Sequence, residues 1–244
     1  MNFADFYDAE AACCDDAQED VQFLLSQLPG DLDVLDVCCG TGRVSAALAV
    51  HGHRVTAVDN DPDALAVAQT KTDAVDWHHA DALAFRTEQR FDAAVLMFND
   101  LGLFWKPSQQ RRLLRSLREH LTPGGVLWVD MFMPDLLHLA EPHAGQMPIV
   151  FHVPGYGAVT RTSAWEPHPK FPQVIDGTLQ YRWFDNAGGE HFAQRALRTT
   201  WFMPRELQRL FRAAGFRVEQ KWGDHDGSEL TTESPRIIVQ AVRM

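Results

Sequence analysis

The chain has 244 residues and a formal net charge of -11, long enough for one α/β domain with an elaboration, or one and a half domains, around a sizeable core. The acidic balance argues against a nucleic-acid backbone as the main partner, because phosphate binding wants concentrated Lys and Arg; small basic patches stay open. Four cysteines, in the adjacent pairs Cys13-Cys14 and Cys38-Cys39, lack the spacing of a disulfide framework or a zinc site, so no metal is expected and a reduced cytoplasm fits.

No apolar run reaches membrane-spanning length, and a start carrying Asp5, Asp8 and Glu10 is not a signal peptide. Val21, Leu24, Leu25 and Leu28 recur at helical spacing before Pro29-Gly30, so residues 1–30 read as a helical lid or brace. Phe3, Phe6 and Tyr7 would anchor it, or Tyr7 would close over a ligand. Val34, Leu35 and Val37 suit a buried parallel strand, which Cys39-Gly40-Thr41-Gly42 breaks before a helix over Val44–Ala49. Glycine at such a turn removes a side chain from the strand end and permits positive φ, so a ligand can approach the backbone.

The next strand, Arg54–Val58, ends in Asp59, roughly twenty residues beyond the glycines, where an acid can accept hydrogen bonds from ribose hydroxyls. Alternatively Asp59 caps the helix that starts near Pro62. Gly40-x-Gly42-x-x-Ser45 is close to the dinucleotide fingerprint, which keeps NAD open. A third strand, Val75–His79, leads to Ala80-Asp81-Ala82 and a second carboxylate suited to an adenine amino group. A fourth, Phe91–Phe98, runs into Asn99-Asp100-Leu101-Gly102 at the same edge, where ligands of open α/β sheets bind.

Ser108–Leu121 is amphipathic, with Leu113, Leu114 and Leu117 inward and Arg111, Arg112, Arg115 and Arg118 as a solvated face. A fifth strand, Val126–Phe132, follows Thr122-Pro123-Gly124-Gly125. Then the alternation stops: Ala158–Trp165, Val174–Phe184 and His191–Phe202 read as strands, with Asp185–Gly189 as a hairpin turn. A small antiparallel sheet is expected above the crevice, walling a substrate pocket or pairing two subunits as a homodimer. Its Phe151, Trp165, Phe171, Trp183, Phe184 and Trp201 would line an aromatic pocket or form the sheet's own core. Pro204–Ala214 return to helix, and Phe216–Trp222 and Arg236–Arg243 close the sheet. The expected fold is α/β, a doubly wound Rossmann-like seven-stranded sheet with a small antiparallel β insertion. Its parts are a lid (1–30), the main domain (31–132 and 203–244) and the insertion (133–202).

VLDVCCGTGRV, VTAVDNDPDAL, HHADALAF, FDAAVLMFNDLG and LTPGGVLWVDMF together resemble the successive motifs of class I S-adenosylmethionine-dependent methyltransferases, over almost the whole chain. The tail is similar to that of small bacterial members with a β insertion after the fifth strand, including sugar-amine N-methyltransferases. The resemblance implies S-adenosylmethionine as cofactor, with S-adenosylhomocysteine as product. It carries Gly40 and Gly42 to the methionine part, Asp59 to the ribose, Asp81 and Ala82 to the adenine, and Phe98 and Asn99 to the sulfonium end. Tyr7, Asp36, Cys39, Thr41 and Asn60 complete the implied cofactor set. Cys38 stands where the motif commonly has Gly, which puts the path of that turn in question.

Methyl transfer needs donor and acceptor aligned in a dry site and no strong acid. Asn99, Asp100 and Tyr7 are candidates for orienting an acceptor; His152, His168, His191 and His225 are distal candidates for a base, and no catalytic base is assigned. The expected acceptor is a small molecule, N before O, with no nucleic acid and no membrane involved. The alternatives are an RNA or protein methyltransferase, a dehydrogenase, and a non-catalytic S-adenosylmethionine-binding protein.

Overall fold

The computed structural model describes residues 3–13, 18–135 and 148–244; Cys14 and the part of the insertion over 136–147 lie outside them. Apolar runs buried on both faces form β1 (Asp33–Val37), β2 (Arg54–Asp59) and β4 (Phe91–Leu96), which lie parallel with the half-exposed edge strand β3 (Val75–His79) and with β5 (Leu121–Phe132). The insertion supplies β6 (Ile149–Val153), β7 (Gly157–Pro167), β8 (Val174–Phe184) and β9 (Glu190–Thr200). β10 (Phe216–Trp222) and β11 (Arg236–Arg243) then return to the main sheet, antiparallel to each other and, through β11, to β5. The seven-stranded order is β10-β11-β5-β4-β1-β2-β3. Because the chain winds outward from β1 to β3 and then restarts on the other side at β4, a crevice opens beyond the carboxyl ends of β1 and β4.

Side chains alternate across this sheet, so each strand feeds two cores. Leu35, Val37, Leu127 and Val129 pack under α5 (Pro107–His120) and α6 (Pro204–Ala213), meeting Leu113, Leu114, Leu117, Leu207 and Phe211. Val34, Trp128 and Ile238 meet Phe23, Leu24 and Leu48 of α2 (Glu19–Gln27) and α3 (Arg43–Val50) on the opposite face. α4 (Pro62–Lys71) follows β2. Arg111, Arg112 and Arg115 stand exposed on α5. Among the described residues no helix is long and apolar enough to cross a membrane.

Three features differ from the sequence expectations. Residues 1–30 hold a second helix, α1 (Ala4–Cys13), and the two helices serve different sheets, since Phe6 of α1 packs on the insertion and Phe23 of α2 on the main sheet. Among the described residues the insertion has four strands instead of three, in the order β6-β7-β8-β9. β4 stops at Leu96, two residues early, because Phe98 and Asn99 turn left-handed at φ 56° and 68°.

The expected aromatic pocket is likewise not formed as one. Phe151 and Trp183 pack with Phe6 and Tyr181 in the insertion's core. Phe184 is exposed on the outer face, Phe171 sits beside Trp105, and Trp165 covers Gly177. Ring centroids of Phe6 lie 5.0 Å from Tyr156, 5.4 Å from Tyr181 and 5.4 Å from Trp183, and Phe6 has no exposed surface. Phe6→Ala should therefore cost about 3 kcal/mol in chemical denaturation; a loss under about 1 kcal/mol would contradict this docking of α1.

Candidate active site

The loop after β1 is shaped by backbone that side chains rarely adopt. Cys38, Gly40 and Gly42 have φ of 61°, 54° and 75°, and the Gly42 amide closes the turn by donating to the Cys39 carbonyl at 2.9 Å. The two glycines do different work. A Cβ on Gly42 would collide with the Trp77 indole and Ala68, so Gly42 permits helix packing. A Cβ on Gly40 would meet nothing within 4 Å, so that backbone faces open space. Cys38 accepts the left-handed conformation that the motif usually gives to glycine.

Asp59 at the tip of β2 fixes this loop. Its Oδ2 accepts from the Gly40 amide at 2.7 Å and its Oδ1 from the Asp61 amide at 2.8 Å. The cap of α4 is instead Asp61, which accepts from the amides of Asp63 at 3.0 Å and Ala64 at 3.3 Å, so Asp59 is not spent on capping. Asp81, after β3, accepts from the Leu83 amide at 2.8 Å.

These groups border one cavity of about 480 Å³, within the range of small-molecule sites. Of the residues singled out in the sequence, Tyr7, Cys39, Gly40, Thr41, Asp59, Asn60, Asp81, Ala82 and Asp100 line it. Asp36, Gly42, Phe98 and Asn99 are placed elsewhere. Asp36 is buried beneath α3, where the Ser45 hydroxyl donates to it at 2.5 Å. The Phe98 ring lies between the guanidinium groups of Arg43 at 5.7 Å and Arg236 at 5.8 Å. The Asn99 side chain is a strut: it donates to Thr199 Oγ1 at 3.3 Å and accepts from the Phe132 amide at 3.3 Å. Sequence reasoning missed Leu103, Phe104, Gln109 and Arg195, which also line the cavity. The first three follow from the turn after β4, whereas nothing local marks Arg195.

Over the cavity, α1 is tied to both sheets. Asp8 accepts from the Thr41 hydroxyl at 2.6 Å and pairs with Lys71 at 2.6 Å. Glu10 pairs with Arg161 at 2.8 Å and accepts from the Tyr181 hydroxyl at 3.0 Å. None of the four candidate histidines lines the cavity. His152 is exposed, His191 pairs with Asp185 at 2.8 Å, His168 stacks on Trp105, and His225 is buried 3.5 Å from Asp130.

Acids set the local field. Burial, with a push from Asp59, lifts the Asp36 carboxyl to about 7 against the pull of its Ser45 hydrogen bond. Burial, then the charges of Asp59, Asp36 and Asp130, hold Asp100 well above the usual carboxylate range. Burial and Asp100 together push the Tyr7 hydroxyl up. Such a site suits a ligand that brings positive charge, as a sulfonium does. The open face of Gly40, the Asp59 carboxylate and the cavity's size fit an adenosyl compound.

A methyltransferase-domain family model matches residues 34–125. The chain is 28% identical over 215 residues to dTDP-3-amino-3,6-dideoxy-alpha-D-glucopyranose N,N-dimethyltransferase of Streptomyces fradiae, covering 85% of this chain and 78% of the relative. It is 28% identical over 213 residues to cypemycin N-terminal methyltransferase of a Streptomyces species, covering 84% and 81%. Among solved structures, DesVI of Streptomyces venezuelae shares the fold at a TM-score of 0.82 and 23% identity, covering 100% of this chain and 99% of that one.

Asp36 yields a pH prediction. Its folded value of about 7 lies above the ordinary 3.8, so the folded state binds the extra proton, and the stability this gives is lost as pH rises through about 7. Denaturation at about pH 5 and about pH 8 should show the wild type losing stability relative to Asp36→Asn as pH rises; equal pH dependence of the two would contradict the assignment.

Proposed function

We propose that this chain, which belongs to the class I S-adenosylmethionine-dependent methyltransferases, methylates the amine of a small-molecule acceptor, with amino sugars carried on a nucleotide as the first candidates. The observation that carries the reading is the make-up of the cavity: four carboxylates, Asp59, Asp61, Asp81 and Asp100, line it and, among the described residues, no histidine does. Carboxylates attract an amine in its ammonium form, and the amine attacks through its own lone pair once that proton has been given up. The relatives named for amino-sugar and peptide N-termini agree in the acceptor atom.

In this reading Asp59 holds the ribose hydroxyls, Asp81 and Ala82 border the adenine, and Cys39, Gly40, Thr41 and Asn60 border the remainder. Tyr7 roofs the chamber. When bound, S-adenosylmethionine supplies a methyl group already activated on a sulfonium sulfur. The chain's own residues then have three tasks. The acid-lined floor attracts the cation, α1 and β9 exclude water, and the struts around Asn99 fix the β4 end against which the acceptor lies. A dehydrogenase reading would leave Asp81, which lines the cavity, without a specific role.

The outer face of the inserted sheet, where Val150, Phe184 and Phe192 are 58%, 57% and 60% exposed, is assigned to pairing with a second copy. The acidic balance argues against nucleic acid as the main partner, and free Cys13, Cys38 and Cys39 suit a reducing cytoplasm.

Incubation with methyl-labelled S-adenosylmethionine and dTDP-3-amino-3,6-dideoxy-α-D-glucopyranose, with a free-N-terminal peptide in parallel, should label the sugar amine. Label on RNA or protein alone would overturn the reading. Asp59→Ala should weaken S-adenosylmethionine binding by about 10-fold or more in calorimetry, the loss expected for hydrogen bonds to a charged acceptor; unchanged affinity would remove Asp59 from the site.

A further inference from the structure

Asp100 differs from every other acid around the cavity. Asp59 accepts from Gly40 and Asp61, Asp81 from Leu83, and Asp61 from Asp63 and Ala64. Asp8, just outside, is held by Thr41 and Lys71. Among the described residues the Asp100 carboxyl has neither a hydrogen bond nor an ion pair, although it lines the cavity. A carboxyl left without partners in a half-buried site costs stability unless a ligand completes it.

The backbone that delivers it is also costly. Phe98 and Asn99 are consecutive non-glycine residues in the left-handed region, at φ 56° and 68°, each worth roughly 1–2 kcal/mol of strain. The surroundings hold them there. The Asn99 amide donates to the Asp130 carbonyl at 2.9 Å, the Gly102 amide donates back to the Asn99 carbonyl at 2.9 Å, and the Asn99 side chain bridges Thr199 and Phe132. β9 comes so close that a Cβ on Gly102 would strike Thr199. Strain over-determined in this way concentrates at functional sites, and here its result is to aim one carboxyl into the chamber.

Resting on the amine-methylation reading, we propose that Asp100 is the proton acceptor of the reaction: its carboxylate takes the proton of the acceptor's ammonium and frees the lone pair that attacks. The N–H pair stays on nitrogen while the proton goes to an Asp100 oxygen. That pair forms the N–C bond as the methyl carbon leaves sulfur, whose bonding pair remains on sulfur. The new ammonium gives up a proton by the same route before a second methyl is added, and Asp100 returns each proton to solvent.

The groups facing Asp100 explain why it would cycle. Asp36 of β1, Asp59 of β2 and Asp130 of β5 all disfavour its charged form, and Tyr7 of α1 and the thiols of Cys38 and Cys39 feel its charge. Arg195 of β9 is the cation lining the same cavity. Burial and these acids therefore make Asp100 hold its proton more tightly than an ordinary carboxyl does. Entry of two cations, sulfonium and ammonium, drives its proton out to solvent, and the base so made is strong because its surroundings favour reprotonation.

Two measurements test this separately from the acceptor reading. In an infrared pH titration of the ligand-free protein, the protonated-carboxyl band that disappears in Asp100→Asn should persist to a pH above the ordinary carboxylate range; a midpoint within that range would overturn the proposal. With dTDP-3-amino-3,6-dideoxy-α-D-glucopyranose, Asp100→Asn should lose about 100-fold in kcat/KM near neutrality. It should recover about tenfold per pH unit as the free amine becomes abundant, while the wild-type profile stays flatter. A variant whose pH profile parallels the wild type, whatever its rate, would also overturn the role. A wild type inert towards the amino sugar would remove that acceptor, and the infrared band would then decide whether Asp100 holds its proton.

Discussion

The site depends on one carboxylate, that of Asp59, which is shared between two backbone amides. Each carboxylate oxygen has two acceptor directions. One direction on Oδ2 is taken by Gly40 and one on Oδ1 by Asp61, so each oxygen keeps a second. The bond to Gly40 draws the loop after β1 against the tip of β2 and fixes the open face of its backbone. The bond to Asp61 starts α4 at the right place. If the carboxylate were removed, the left-handed turn at Cys38, Gly40 and Gly42 would lose the acceptor that stabilises it, and the cavity would lose its floor.

Above that floor, the closure comes from packing more than from charge. Phe6 inserts into the aromatic core of the inserted sheet, where burial of the whole ring supplies the main attraction, and two partly buried ion pairs flank it. Asp8 and Glu10 then set direction, one reaching Thr41 and Lys71 on the main sheet and the other Arg161 and Tyr181 on the insertion. A single short helix thereby joins the body that borders the adenosyl end to the body that contributes Arg195 to the rim. In the proposed reaction this makes a chamber from which water is kept, where the fixed acids act at full strength.

Much of this was legible in the sequence, because the informative features are local. Val34-Leu35-x-Val37 followed by glycines is strand and turn on its face, and the later apolar runs mark the strands that follow it along the chain. Other parts depend on partners distant in sequence. α1 is held largely by one aromatic ring, so its residues show little periodicity. The early end of β4 arises from left-handed Phe98 and Asn99, neither of them a glycine that would announce the turn. Asp36 carries the same side chain as Asp59, and only the alternation of β1 beneath α3 sends it into the core. The aromatic residues of the insertion were ambiguous because alternation cannot say which face of an antiparallel sheet meets α1.

The most direct measurement is a crystal structure with S-adenosylhomocysteine bound. The account predicts both ribose hydroxyls within hydrogen-bonding distance of Asp59, adenine between β2 and β3 beside Asp81 and Ala82, and the sulfur directed towards Asp100. A ligand seated elsewhere, or one bound with Asp59 turned away from its sugar, would contradict it.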